Sequence, residues 1–183
     1  MDRPPPAGPA PRARLATTDD AAELTRLRAR LFEEMAPAAV GGGWEAACAA
    51  HLRRGLADGS VLGGVVEGPQ PGALVAGGLV DLRAVTPGPG NPAGLEAYVY
   101  SMYTERGWRR RGLARAVLER LLAEVRRRGV AVVELHATAD GEPLYRSAGF
   151  GPRPGGRAMR LAPGRAAAYS GGSGGGSPPI AGK

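Results

Sequence analysis

Hydrophobic residues along this chain switch between two periods, and the switches predict its elements. Leu24, Leu27, Leu31 and Met35 fall at the three-to-four spacing of a helix with one buried face. Asp20-Ala21-Ala22-Glu23 precedes them with the outline of a capping box, and Pro37 with Gly41-Gly42-Gly43 ends the pattern. A short strand at Arg14-Leu15-Ala16 comes first. A second helix is predicted from Trp44 to about Leu56, closing near Gly59. Val61–Glu67 and Ala73–Leu82 read as strands joined by the turn residues Gly68-Pro69-Gln70-Pro71-Gly72. A loop, Pro87-Gly88-Pro89-Gly90-Asn91-Pro92, leads into Ala97–Thr104, rich in the aromatic and β-branched residues that strands favour. Helical spacing returns at Ala114, Val117, Leu118, Leu121, Leu122 and Val125, over about Gly112 to Arg128. Arg126-Arg127-Arg128 stand where a helix end favours cations, and Gly129 is its stop. Val130–His136 is the clearest strand, Pro143–Ala148 a short helix, and Met159-Arg160-Leu161 a last edge strand.

The order is strand, two helices, three strands, helix, strand, helix, strand, without internal repeat: a mixed α/β domain over residues 12–162. Proline-rich residues 1–11 are expected to be disordered, and 163–183 to form a flexible tail, since Ser170–Ser177 contains only glycine and serine.

Composition narrows the function classes. A 43% hydrophobic content is enough for one core. No apolar run is long enough to span a membrane, and the prolines near Met1 replace the apolar stretch of an export signal, so a cytoplasmic protein is expected. The single cysteine, Cys48, cannot form an internal disulfide. Its alanine flanks read as a small buried core residue. His51 and His136 lie apart from any thiol or carboxylate cluster, so no metal is expected and both read as structural. The net charge of +7 is almost wholly arginine, Lys183 being the one lysine. Those arginines are spread along the chain, and only 5% of residues are aromatic for stacking on bases, so nucleic acid is not an expected partner.

One cluster of charge does carry chemistry. Arg109-Arg110-Arg111-Gly112-Leu113-Ala114 lies between the strand ending near Thr104 and the helix that follows. A helix start offers unpaired N–H groups and a positive dipole end, glycine permits close backbone approach, and arginine forks onto phosphate oxygens. This is a place to hold phosphates.

From Tyr98 to Phe150 the chain resembles the GNAT superfamily of N-acetyltransferases. Arg109-x-x-Gly112-x-Ala114 matches the family's Arg/Gln-x-x-Gly-x-Gly/Ala, and Leu144-Tyr145-Arg146-Ser147-Ala148-Gly149-Phe150 its later Leu-Tyr-x-x-x-Gly-Phe. The resemblance implies a GNAT-like mixed central sheet flanked by helices, with a splay between its central strands. It implies acetyl-CoA as cosubstrate. The N–H groups of Arg110, Arg111, Gly112, Leu113 and Ala114 would cradle the pyrophosphate, the side chains of Arg109 to Arg111 lying at its rim. The backbone of Met102, Tyr103 and Thr104 would pair with the pantetheine arm. Tyr145 would protonate the departing thiolate, its phenol (pKa near 10) being of comparable basicity. Thr138 stands where many members carry a cofactor-contacting asparagine. For the general base, Glu96 at the entry of the central strand is the first candidate and Glu105 the second; either is otherwise a solvated carboxylate. Tyr98, Tyr100 and Tyr103 alternate along their strand and are not expected to share a face; Tyr98 or Tyr100 would line the acceptor pocket. Trp108 is expected to pack beside the turn. The implied reaction is direct attack of an amine, from a small molecule or peptide, on the thioester, without an acyl-enzyme, because Cys48 lies outside the motifs. A homodimer is compatible with this. The alternative is a non-catalytic acyl-CoA-binding regulatory domain.

Overall fold

A computed structural model describes residues 12–36 and 43–152. The expectations for residues 1–11, for a strand at Met159–Leu161 and for the tail at 163–183 lie outside the described residues. Within them the elements follow the predicted order: β1 (Arg14–Leu15), α1 (Ala21–Met35), α2 (Trp44–Asp58), β2 (Val61–Glu67), β3 (Leu74–Ala84), β4 (Leu95–Thr104), α3 (Leu113–Arg127), β5 (Val132–Leu135) and α4 (Glu142–Ser147). The five strands form one sheet in the order β1-β2-β3-β4-β5. All neighbours are antiparallel except β4 and β5, which run parallel on either side of the α3 crossover. The sheet is mixed and open, with helices on both faces.

Each face has its own core. On one, Val117, Leu118, Leu121 and Val125 of α3 pack against Leu62, Val80, Ala97 and Val99. On the other, Leu24 and Leu27 of α1 and Leu52 of α2 pack against Val61, Val65, Leu79 and Tyr103. Both faces of β2 and β3 are covered, so these strands are continuously buried rather than alternating. Glycines set the spacing of the layers. A Cβ on Gly64 would stand 2.9 Å from Leu121 Cγ, so α3 lies closer to the sheet than a side chain would allow.

Three local expectations are corrected. The capping box sits one turn early, because Asp20 accepts the Thr17 amide at 2.7 Å and is held by Arg14 Nη1 at 2.7 Å. Glu23 instead accepts the Leu74 amide at 3.0 Å, tying α1 to β3. Met35 is not buried but 46% exposed, since the last turn of α1 runs past the sheet and overhangs a cavity. Cys48 is half-buried at the edge of the α1–α2 core.

Candidate active site

The site begins where two strands separate. Of the ten residues of β4, only Glu96 to Val99 pair with β5, opposite Val132 to Leu135. From Tyr100 to Thr104 no β-partner adjoins that edge among the described residues, so the backbone there faces a gap between the strands. This is the splay expected from the resemblance, and it includes Met102, Tyr103 and Thr104.

A bulge re-phases the same stretch. Gly77 pairs with Tyr103 but Leu79 with Tyr100, so Ser101 and Met102 together oppose Gly78. Ser101 adopts the left-handed φ of 51°, a conformation non-glycine residues seldom take and one that bulges exploit. Met102 turns toward α3, where its sulfur occupies the space a Cβ on Gly78 would need. Tyr103 turns to the α1 side with Tyr100 and Tyr98. The expectation that the three tyrosines cannot share a face is therefore wrong, because strict alternation is broken at Ser101.

The gap ends at the arginine-rich turn, Arg109 to Ala114. After a 3-10 turn at Arg106–Trp108, Arg110 (φ 62°) and Gly112 (φ 77°) both take left-handed backbone and lead into α3. Among the described residues no backbone acceptor meets the N–H of Arg110, Arg111 or Gly112. The first-turn amides of Leu113 and Ala114 have no acceptor within the helix by geometry. Arg110 is exposed, and the Arg111 guanidinium lies 4.9 Å from the ring centre of Trp108, which packs beside the turn as expected. Arg109 is committed elsewhere: its Nη2 donates to Glu34 Oε2 at 2.7 Å and its Nε to the Thr104 carbonyl at 3.0 Å. Glu34 also accepts from Tyr103 Oη at 2.8 Å and Arg106 Nε at 3.0 Å. These donors, Arg109 first, pull the Glu34 carboxyl down to about 2, while burial and the same carboxylate push Tyr103 up to about 12. The arginine of the motif thus fastens the turn to α1.

At the other end of the gap lies a cavity of about 460 Å³. Leu31, Phe32 and Met35 of α1 roof it, Tyr98 to Met102 form its floor, and Asp81, His136, Thr138 and Tyr145 stand at its sides. Tyr145, from α4, is half-buried with its ring edge-on to Phe150 at 6.0 Å, and burial raises its phenol above the ordinary tyrosine value. Thr138 accepts the Gly141 amide on Oγ1 at 3.2 Å and so helps open α4. The Tyr100 hydroxyl donates to Asp81 Oδ1 at 2.7 Å, and burial together with that carboxylate raises the phenol strongly. Tyr98 Oη is 2.6 Å from His136 Nδ1.

The structure brings Thr138 and Tyr145 to the cavity that Tyr98 to Met102 line, and the turn follows the free end of β4. Sequence reasoning did not single out Asp81, Arg28 or Ser101, and it took His136 as merely structural. Glu96 lies two residues before Tyr98 and opposite Arg83, outside the cavity lining. Glu105 is bound at 2.5 Å by Arg26 and lines a different hollow beside Glu34.

The acetyltransferase (GNAT) family model matches residues 27–150. The chain belongs to the GNAT acetyltransferase family. Among solved structures it resembles a predicted acetyltransferase from Clostridium acetobutylicum, crystallised with acetyl-CoA, at 23% identity and a TM-score of 0.72 over 81% of this chain and 95% of that one. It also resembles a GCN5-related N-acetyltransferase from Ralstonia eutropha JMP134, at 30% identity and a TM-score of 0.66 over 81% of this chain and 97% of that one. A glucosamine-6-phosphate N-acetyltransferase from Arabidopsis thaliana shares the fold at 14% identity, with a TM-score of 0.61 over 82% and 99% of the two chains. No curated protein sequence matches the chain.

The residues of this GNAT protein fit acetyl-CoA on an observation of their own. Thr104 Oγ1 is buried without a hydrogen-bond partner among the described residues, at the strand end whose carbonyl Arg109 of the turn binds at 3.0 Å. Backbone donors without acceptors at a positive helix end, following a strand that ends on an unmet polar atom, are an environment an anionic, hydrogen-bonding ligand completes. Among the described residues, no helix is long and apolar enough to cross a membrane, and no group of three or more His, Cys, Asp or Glu is placed to hold a metal ion.

Proposed function

We propose that this GNAT protein is an N-acetyltransferase that moves the acetyl group of acetyl-CoA to a primary amine by direct attack. The observation that carries the reading is the unbroken run from the amides at the head of α3, along the free edge of β4, to a cavity bordered by Tyr145. Acetyl-CoA supplies a thioester whose carbonyl is open to a nucleophile. Arg110 to Ala114 hold its phosphates through backbone N–H groups, and Met102 to Thr104 hold the arm through main-chain pairing. Tyr145 holds the proton that the leaving thiolate takes. Its raised pKa keeps the phenol protonated at neutral pH, so it enters the reaction as an acid.

The incoming ammonium must first lose a proton. Asp81 is the carboxylate that borders the cavity, and we assign it that role, directly or through water. Glu96, two residues before Tyr98 on β4 and outside the cavity lining, is the second candidate. The half-buried Cys48 borders a neighbouring hollow rather than the gap between β4 and β5, consistent with transfer without an acyl-enzyme.

The test is CoA release over a panel of amines by wild-type protein and Tyr145→Phe. Turnover in the variant should fall by about 10²-fold or more while acetyl-CoA affinity holds. Unchanged turnover removes Tyr145 from the mechanism. Acetyl-CoA binding with no release for any amine favours a regulatory acyl-CoA-binding domain instead.

A further inference from the structure

The strongest feature left unused is the guanidinium of Arg28. Two other half-buried arginines of the N-terminal half each meet two carboxylates, Arg14 with Asp20 and Glu67, and Arg26 with Glu23 and Glu105. Arg28 meets none among the described residues. No acidic residue occurs in the sequence between Glu34 and Glu45 to supply one. Its protein contacts are of another kind. One Nη donates to Ser101 Oγ, and the guanidinium carbon lies 4.6 Å from the ring centre of Phe32 and 5.3 Å from that of Tyr100. The group is thus oriented by two rings and the bulge hydroxyl while keeping N–H donors in reserve.

Its position gives those donors a purpose. Arg28 borders both the main cavity and a second hollow of about 300 Å³ between α1 and α2, and Asp81 and Tyr100 border both as well. A cation and a carboxylate therefore stand on the wall that the two chambers share. The smaller chamber is otherwise walled by Phe32, Trp44, Cys48, His51, Leu52 and Leu79, apolar apart from the His51 ring. Arg83, the other cation of the lining, already faces Asp81 at 3.7 Å and lies 4.2 Å from the ring centre of Tyr98. A partly desolvated guanidinium without a counter-ion is costly, and an anionic ligand offsets that cost while gaining charge-assisted bonds.

We infer that the acceptor is a small amine that also carries an anionic group, a carboxylate or a phosphate, which Arg28 binds while the amine faces Asp81 and Tyr145. This rests on the acetyl-transfer reading above and names its substrate class. An apolar side group would enter the smaller chamber.

Matched pairs of acceptors test it: leucine against leucinamide for the carboxylate, and O-phosphoethanolamine against ethanolamine for the phosphate. With wild-type protein kcat/KM for the anionic member of one pair should exceed that of the neutral member by roughly 10- to 100-fold, and which pair shows it identifies the anion. In Arg28→Met that ratio should fall to about one; Arg28→Lys should lie between. Acetyl-CoA affinity of each variant reports that it is folded. A ratio near one in the wild type for both pairs, or a ratio that survives Arg28→Met, overturns the inference.

A binding arm separates its failure from that of the transfer reading. 4-Methylpentanoate and ethyl phosphate, which lack an amine, are titrated into the CoA-loaded protein by calorimetry. Binding that Arg28→Met abolishes, in a protein that acetylates no amine, upholds the anion site and rejects transfer. No binding of either compound together with no anion preference rejects the site.

Discussion

Replacing Glu34 by glutamine should loosen the phosphate turn from a distance. The carboxylate gathers Arg109, Arg106 and Tyr103 at 2.7, 3.0 and 2.8 Å and so binds the turn and the end of β4 to α1. Its depression from 4.5 to about 2 sets a ceiling of ~3.4 kcal/mol on the preference for the ionised form. Solvent takes part of this away, since Arg106 and Arg109 side chains are 77% and 42% exposed and Glu34 itself 24%. Pairs of that exposure are worth under about 1 kcal/mol each, which leaves roughly 1–2 kcal/mol for the cluster. Glutamine keeps the shape and loses the charge. The expected outcome is a 5- to 30-fold weaker acetyl-CoA affinity by calorimetry, with kcat at saturation little changed. Because the carboxyl is depressed in the folded state, its stabilisation is complete above the unfolded value near 4.5 and lost as pH falls through about 2. The gap in urea stability between wild type and Glu34→Gln should therefore be full at pH 7 and shrink steadily below pH ~5. A double-mutant cycle with Arg109→Met should give a coupling of about 1 kcal/mol. Coupling near zero, or a stability gap that ignores pH, refutes the account.

Other outcomes follow from the same geometry. Gly112→Ala meets no atom within 4 Å, so its cost is the left-handed φ of 77° alone, about 1–2 kcal/mol, visible as a lower melting temperature and weaker acetyl-CoA binding. Gly64→Ala is the opposite case: its Cβ would crowd Leu121 Cγ at 2.9 Å and the Val117 carbonyl at 3.2 Å, costing about 1–3 kcal/mol in stability. Asp81→Asn should lower kcat/KM for the amine about 10²-fold while leaving acetyl-CoA affinity unchanged; a loss confined to acetyl-CoA affinity would contradict its assignment. In wild-type protein the alkaline fall of kcat should lie above pH ~10, because the Tyr145 phenol is raised and stays protonated until then.

What was legible in the sequence was local. Helix and strand periods located the elements to within a few residues, because burial on one face or two writes itself into spacing. The turn that opens α3 was legible too, since all its parts lie between Arg109 and Ala114. The cavity at the other end of β4 was not. Arg28, Asp81 and His136 come from α1, β3 and the end of β5, and only the packed sheet brings them to one cavity. Arg28 sits one position from the apolar stripe of α1 and looks there like any flanking cation. Ser101 carries no mark of a left-handed residue, as a glycine or asparagine would, so the re-phasing of β4 was invisible. The capping box was misplaced by one turn because Thr17 and Asp20 satisfy the same pattern as Asp20 and Glu23.

The separation into two cores, one on each face of the sheet, has an implication for how such a protein changes. The groups assigned to the donor half of the reaction hang on α3 and the far edge of β4, whereas those around the acceptor hang on α1, α2 and the opposite face of β3. Substitutions in the α1–α2 layer can reshape the acceptor chamber while the other core, and the cradle it supports, stays intact. Directed evolution toward new amines is therefore best confined to that layer. Glu34 is the residue there to hold fixed, because it alone of the α1 carboxylates described is fastened to Arg109.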